Sequence, residues 1–333
     1  MMEYRNLGNT GLFVSSLSFG TWVTFKTQVD LPLSTHMMEL AYERGVNFFD
    51  NAETYADGDS EVIMGKSLKE LNWDRSTYIV SSKVFWGGKK PTQLGLSRKH
   101  VIEACHQSLK RFGLDYIDLF YCHRPDKDTA IVETVRAMDT LIKQGKILYW
   151  GTSEWETHQI VEAYEVAERL HLTPPSVEQP QYNLFERNKV EKQFLPLYKK
   201  YGMGLTTWSP LSSGILTGKY KNGVPENSRL SLEHLAWLKD HFFNEEGQQK
   251  LLMAKELGVI AKELGLSLAK MSIAWCLKNP HVSSVILGAS SMDQLNENLD
   301  SIDCLPILND KVMARIENVV KNKPSEDINF KDF

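Results

Sequence analysis

The stretch VNFFDNAETY, residues 46–55, is apolar through Val46, Phe48 and Phe49, stops at the carboxylate of Asp50 and reaches the phenol of Tyr55 five positions later. Lys83 stands near the end of the run YIVSSKV, and His123 closes IDLFYCH. Each residue has an ordinary explanation by itself. Asp favours turns and helix caps, a lysine can lay its stem on apolar surface with its head in water, and a lone histidine is usually structural. As a set they have one economical chemical meaning. A phenol is a feeble acid with an ordinary pKa of about 10, and a nearby ammonium stabilises the phenolate and eases release of the proton. Lys83 would supply that ammonium. Asp50 would hold and balance it, because a buried lysine without a partner is costly. His123 would hydrogen-bond to and polarise a substrate carbonyl. The chemistry is proton donation to a carbonyl oxygen whose carbon receives a hydride. The sequence has no metal-ligand cluster, so the hydride is assigned to an organic cofactor.

Side chains this far apart in sequence can meet only if the elements bearing them share one rim. Short β-rich runs occur at SLSFG, VNFFD, YIVSSKV, IDLFYCH, ILYWGTS, SVEQPQY, GLTTWSP and SSVILGAS. Helix-period stretches separate most of them, among them HMMELAYERG, KHVIEACHQSLKRFG and VETVRAMDTLIKQG. Gly45, Gly113, Gly145 and Gly202 end such stretches, as the left-handed turn after a helix favours, while Ser97 and the Glu133 region mark helix starts. This alternation predicts right-handed crossovers and a parallel sheet. Eight strands without a composition break favour a closed (β/α)8 TIM barrel, and no GxGxxG follows the first strand to argue for a dinucleotide-binding sheet. YRNLGNTGLFVSS reads as an N-terminal hairpin. Residues 212–247 form a long insertion after the seventh strand, and 309–320 an extra C-terminal helix. We expect one domain over 1–323 and a loosely held tail over 324–333.

In such a barrel the working residues end the strands. Asp50 ends the second, Lys83 the third, His123 the fourth and Ser153 the fifth; Gln179 lies on the sixth, Trp208-Ser209-Pro210-Leu211 ends the seventh and Gly288-Ala289-Ser290 the eighth. Trp22, Phe85, Trp86 and Tyr182 suggest an aromatic-lined mouth.

The composition is that of an ordinary globular protein: 333 residues, 42% hydrophobic, 24% charged and a formal net charge of −4. A mildly acidic chain offers no electrostatic footprint for nucleic acid. No apolar run approaches the ~20 residues that span a bilayer, and the polar start MMEYRNLGNTG is no signal peptide. Cys105, Cys122, Cys276 and Cys304 are widely spaced and read as reduced thiols. The expected location is the cytoplasm.

The motifs YRNLGNTGL, GTWVTF, SKVFWGG, GLSRKHVIE, ETVRAM, YWGTS, TWSPL, SIAWCL and SSVILGAS extend over essentially the whole chain. Through them the sequence resembles the aldo-keto reductases, and it is most similar to the branch containing the β subunits of voltage-gated potassium channels. The resemblance implies Asp50, Tyr55, Lys83 and His123 as the catalytic tetrad and NADP(H) as cofactor. It implies Thr21, Trp22 and Gln28 near the nicotinamide and substrate, Ser153 and Gln179 on the carboxamide, and Trp208 beneath the ring. Ser209, Pro210, Leu211, Ser213 and Gly214 would cradle the pyrophosphate. Lys219, Arg229, Gly288, Ser290, Gln294, Glu297 and Asn298 would hold the adenosine end, and the 212–247 loop would fold over the cofactor. Asp50 is counted among the cofactor contacts as well.

Two departures stand out. Channel-associated members generally carry Asn where His123 stands, and tend to carry Arg where Glu154 follows Ser153. The resemblance thus implies a reductase of small aldehydes and ketones or, as the alternative, a channel-docking regulatory subunit whose cofactor is a redox sensor. It also implies a homotetramer. His123 favours the enzyme. The chain begins close to the first family motif, so a mobile pore-plugging segment is not expected.

Overall fold

The computed structural model describes residues 1–22, 29–220 and 244–325. Its residues fall into two compact units. The first comprises Met1–Pro180, Leu197–Trp208 and Pro280–Leu299; the second comprises the described residues of 181–196, 209–279 and 300–333.

The whole barrel lies in the first unit. Strands β1 (Tyr4–Asn6) and β2 (Phe13–Ser15) pair antiparallel as the expected hairpin. The following strands are β3 (Leu17–Gly20), β4 (Phe48–Asp50), β5 (Ile79–Val84), β6 (Ile117–Cys122), β7 (Ile147–Thr152), β8 (Val177–Glu178), β9 (Gly204–Thr207) and β10 (Val282–Leu287). They close in the order β10-β3-β4-β5-β6-β7-β8-β9, every neighbour parallel. Parallel register carries the rim residues together: Asp50 lies opposite Ser81, Lys83 opposite Tyr121, and Cys122 opposite Thr152.

The hairpin packs at the N-terminal end of the strands. Leu7 and Val14 pack with Phe48, Ile79, Leu119 and Val177 in one buried cluster. A Cβ on Gly8, at φ +56, would stand 2.4 Å from the backbone of Gly202 and Gly204, so the turn sits directly on the barrel floor.

Helices cover the barrel wall: α1 (Leu31–Glu43), α2 (Asp59–Leu71), α3 (Arg98–Phe112), α4 (Ile131–Lys143) and α5 (Thr157–Leu170). Asp30 caps α1 by accepting from Leu33 N, and Ser97 caps α3 by accepting from His100 N. The four glycines read as helix terminators all have positive φ. A short helix, α6 (Leu195–Tyr201), follows a π turn at Lys189–Gln193.

The second unit contains α7 (Glu245–Glu263), α8 (Leu268–Leu277) and α10 (Asp310–Val320); α9 (Met292–Leu299) belongs to the first. Periodicity alone did not separate α8, because all its residues but Lys270 are buried and a helix buried all round has no polar face to set the period. Arg187 ties the second unit together, pairing with Glu191 and Glu317 at 2.8 Å and lying over the Trp275 ring. The insertion read as 212–247 ends earlier, since α7 has begun by Glu245; residues 221–243 lie outside the described residues. No described helix is long and apolar enough to cross a membrane. All four cysteines are unpaired and buried.

Candidate active site

Asp50 is the last residue of β4, and the chain then turns sharply. Ala56 and Asp57 adopt left-handed conformations (φ 51° and 55°), and Gly58 follows at φ 91°. For residues with a Cβ that conformation costs about 1–2 kcal/mol each, and such strain persists where surrounding contacts over-determine it. Tyr55 opens this turn, with its hydroxyl within hydrogen-bond reach of Lys83.

There the Lys83 ammonium, fully buried on β5, spends all three of its donors. It donates to Asp50 Oδ2 at 2.6 Å, to the Asn51 carbonyl at 2.9 Å and to the Tyr55 hydroxyl at 3.0 Å. The Asp50 carboxylate is also fixed on its other oxygen, where Oδ1 accepts from Ser81 Oγ at 2.7 Å and Gln179 Nε2 at 3.1 Å. Thr21 donates through its hydroxyl to the Asp50 carbonyl at 3.2 Å and accepts from Ser60 Oγ at 2.9 Å, so it braces the turn. His123 follows β6 directly and meets the Tyr55 ring edge-on at 5.9 Å between centroids. Its buried Nδ1 has no hydrogen-bond partner among the described residues.

The electrostatics separate the roles. Burial pushes the Tyr55 phenol up; Lys83 pulls it down, Asp50 raises it, and the net shift is upward. This reverses the net effect expected from Lys83 alone, because removing a phenolate from water outweighs one neighbouring cation. Burial alone would lower Lys83, but Asp50 and Tyr55 more than offset it and its pKa rises. Burial, with Lys83 and Arg124 adding like-charge repulsion, holds the His123 imidazole well below its ordinary value. At neutral pH the lysine is charged, the imidazole neutral and the phenol protonated. A neutral imidazole orients an oxygen through its N–H but has no imidazolium proton to give, so the phenol is the group fitted to release one.

The remaining predicted residues divide between the units. In the first, Ser153 is buried beyond β7 and donates to the Gln179 carbonyl at 2.8 Å, while Glu154, at φ 59°, accepts from Trp208 Nε1 at 3.0 Å. Trp22 is part-buried. Ser290 donates through both N and Oγ to Gln294 Oε1 at 3.1 Å, and the buried Asn298 donates to the Gly288 carbonyl at 3.2 Å. Glu297 lies part-buried on α9 between them. In the second, Ser209, Ser212 and Ser213 have positive φ, and so does Gly214 at 104°, with Pro210 buried between them. A Cβ at Gly214 would stand 3.1 Å from Lys219 Cε and from the Tyr220 ring. The N–H groups of Ser212, Ser213 and Gly214 are satisfied within the turn. Among the described residues the Leu211 N–H and Ser213 hydroxyl donate to nothing, which leaves both as donors for an anionic group. Lys219 is exposed. Gln28 and Arg229 lie outside the described residues.

Taken unit by unit, the groups present suit the parts of a nicotinamide dinucleotide. Gln179 and Ser153 retain acceptor capacity for a carboxamide, and the 209–214 turn has donors and a glycine that no larger residue replaces without strain.

One expectation fails. Tyr182 is no part of an aromatic mouth: it is 2% exposed in the second unit, packs on Trp275 and donates to Glu191 Oε1 at 2.8 Å. Two residues were missed. Ser81, which fixes Asp50, lies two positions before Lys83 on the same strand face, a spacing readable from period-two alternation. Arg124, next to His123 in HRPD, donates to the His123 carbonyl and to Ser153 Oγ at 3.3 Å.

Comparison with known proteins adds relatives to this geometry. The model of the aldo/keto reductase family matches residues 16–321. A protein of Oryza sativa subsp. japonica described as a probable voltage-gated potassium channel subunit beta is 52% identical over 324 residues, 97% of this chain and 98% of the relative. An Arabidopsis thaliana protein of the same description is 51% identical over the same length, with the same coverage.

Proposed function

Because the chain belongs to the aldo/keto reductase family, we propose that it is an NADPH-dependent oxidoreductase of the alcohol dehydrogenase (NADP+) type. It reduces aldehydes and ketones to alcohols, with Tyr55 as the general acid. The observation that carries this reading is the chain of contacts from the buried Asp50 through the buried Lys83 to the part-buried Tyr55 hydroxyl.

Tyr55 gives its proton to the carbonyl oxygen of a small substrate. Lys83, 3.0 Å away and itself fully buried, then faces a developing phenolate and stabilises it. Asp50, held by Ser81 and Gln179, keeps the ammonium aimed and charged. His123 donates a hydrogen bond to the same oxygen and fixes its orientation. The family generally uses a nicotinamide cofactor, which when bound supplies the hydride that the carbonyl carbon receives. Thr21, Trp22, Gln28, Ser153, Gln179 and Trp208 are assigned to its nicotinamide end, Ser209 to Gly214 to the pyrophosphate, and Lys219, Arg229, Ser290, Gln294, Glu297 and Asn298 to the adenosine. Two cations in that last group favour a 2′-phosphate, since charge-assisted contacts are the strong ones, and so NADP(H) over NAD(H). The protein acts in the cytoplasm.

A panel of aldehydes assayed with NADPH, alongside fluorescence titration of NADPH and NADH, tests the reading. Reduction of reactive aldehydes and tighter NADPH binding are expected. Inactivity toward the whole panel overturns the enzyme, and equal affinities overturn the cofactor preference.

The names of the two plant relatives favour a second reading, a regulatory subunit of a voltage-gated potassium channel; as part of that reading we propose that bound NADP(H) serves as a redox sensor and that the protein assembles as a homotetramer. Light scattering at micromolar concentration tests the assembly, with a monomeric mass counting against it. His123, where channel-associated members carry Asn, supports catalysis as the primary role.

A further inference from the structure

Arg124 stands beside the site with donors to spare. It follows His123 at the end of β6, part-buried, and only Nη1 is engaged, on the His123 carbonyl and Ser153 Oγ. Its Nε and Nη2 have no hydrogen-bond partner among the described residues, and no described carboxylate pairs with it. Glu154, one residue beyond Ser153, accepts instead from the Trp208 indole. The guanidinium lies 5.6 Å from the Trp86 ring centre, Trp86 packs at 5.1 Å against the His123 imidazole, and His123 meets Tyr55 at 5.9 Å. The four side chains thus form one continuous run. The charge of Arg124 is felt along it, acting to lower both the Tyr55 and the His123 pKa.

We propose that Arg124 is the specificity-determining residue of the site, and that its Nε and Nη2 donors bind the carboxylate of an anionic carbonyl substrate. The inference rests on the carbonyl-reductase reading and names its substrate class. Nε and Nη2 form one edge of a rigid planar fork that matches the two oxygens of a carboxylate. A lysine or amide at this position would lack that fit. The Nη1 contacts and the Trp86 ring hold the fork in place before substrate arrives, which removes part of the ordering cost of binding. A substrate with a carbonyl at one end and a carboxylate at the other would place its oxygen at Tyr55 and His123 and its anion at Arg124. Aldehyde acids and oxo acids fit this description; neutral aldehydes of the same shape leave the guanidinium without an acceptor.

The test compares 4-carboxybenzaldehyde with its neutral isostere 4-carbamoylbenzaldehyde, using the full-length protein with NADPH. Wild type is expected to favour the carboxylate by about tenfold or more in kcat/KM, the range of a hydrogen bond to a charged group. Arg124→Met should lower that ratio at least tenfold, with the carboxylate's KM carrying most of the change. Arg124→Lys, which keeps the charge but not the fork, should recover part of the ratio and guards against loss of fold. Equal losses on both substrates in Arg124→Met would make Arg124 a tie between β6 and β7 alone and overturn the proposal. Reduction of both aldehydes by wild type without preference overturns this inference and leaves the carbonyl-reductase reading standing. Reduction of neither overturns both.

Discussion

The Lys83 ammonium lies 3.0 Å from the Tyr55 hydroxyl, joining a residue inside strand β5 to one in the strained turn that follows β4. The same ammonium lies 4.7 Å from the centre of the Tyr55 ring, so lysine and tyrosine are held by both the head and the face of the phenol. This contact offsets part of the rise that burial causes in the phenol's pKa and sets a cation where the phenolate would form.

Replacing Tyr55 by Phe keeps the ring and removes the proton donor. General acid catalysis contributes ~10²–10⁴-fold, so steady-state aldehyde reduction should fall by at least two orders of magnitude, with NADPH affinity nearly unchanged. Near-wild-type turnover would refute Tyr55 as the acid. Because the phenol is shifted above its ordinary value, reduction by the wild type should show no loss from phenol ionisation below about pH 10.

Asp50→Asn separates a charge-balancing carboxylate from a turn former. Asn suits the same turns, so a turn role predicts little change. The buried pair with Lys83 at 2.6 Å predicts otherwise. Removing one partner of such a pair typically costs about 3–5 kcal/mol, and turnover should fall as well. Urea unfolding and steady-state kinetics on the same preparation give both numbers.

His123 is held well below its ordinary pKa in the folded chain, while in the unfolded chain it titrates near 6.5. Between those values the unfolded state binds the extra proton, so stability rises with pH there and is lost as pH falls below about 6.5. His123→Asn removes that slope. Melting temperatures at pH 7.5 and 5.5 should therefore differ less in the variant than in wild type, and an unchanged difference would show that the imidazole is not held neutral.

Gly65 on α2 lets that helix approach α3 closely: a Cβ there would stand 2.4 Å from the Phe112 carbonyl oxygen and 2.7 Å from that of Arg111. Backbone cannot step aside as a side chain can. Gly65→Ala should therefore destabilise by about 1–3 kcal/mol, read by chemical denaturation, although alanine is the better helix former. A neutral or stabilising result would mean that α2 and α3 are free to separate.

The sequence by itself determined the barrel, the hairpin at its floor and the residues that end its strands. These follow from local causes: the alternation of apolar runs and helical periods, glycines at helix ends, and the rule that parallel strands deliver their last residues to one rim. Asp50, Tyr55, Lys83 and His123 could be named together for that reason. Only the tertiary structure decided what neighbours do to each of them. Burial outweighs Lys83 in setting the Tyr55 pKa, Tyr182 turns inward to Glu191 and Trp275 rather than toward a pocket, and Ser81 on β5 and Gln179 just beyond β8 close around Asp50. Arg124 was one more charged loop residue until folding left its free edge beside His123 and Trp86. Desolvation and hydrogen-bond pairing depend on atoms distant in the chain, so no local pattern encodes them.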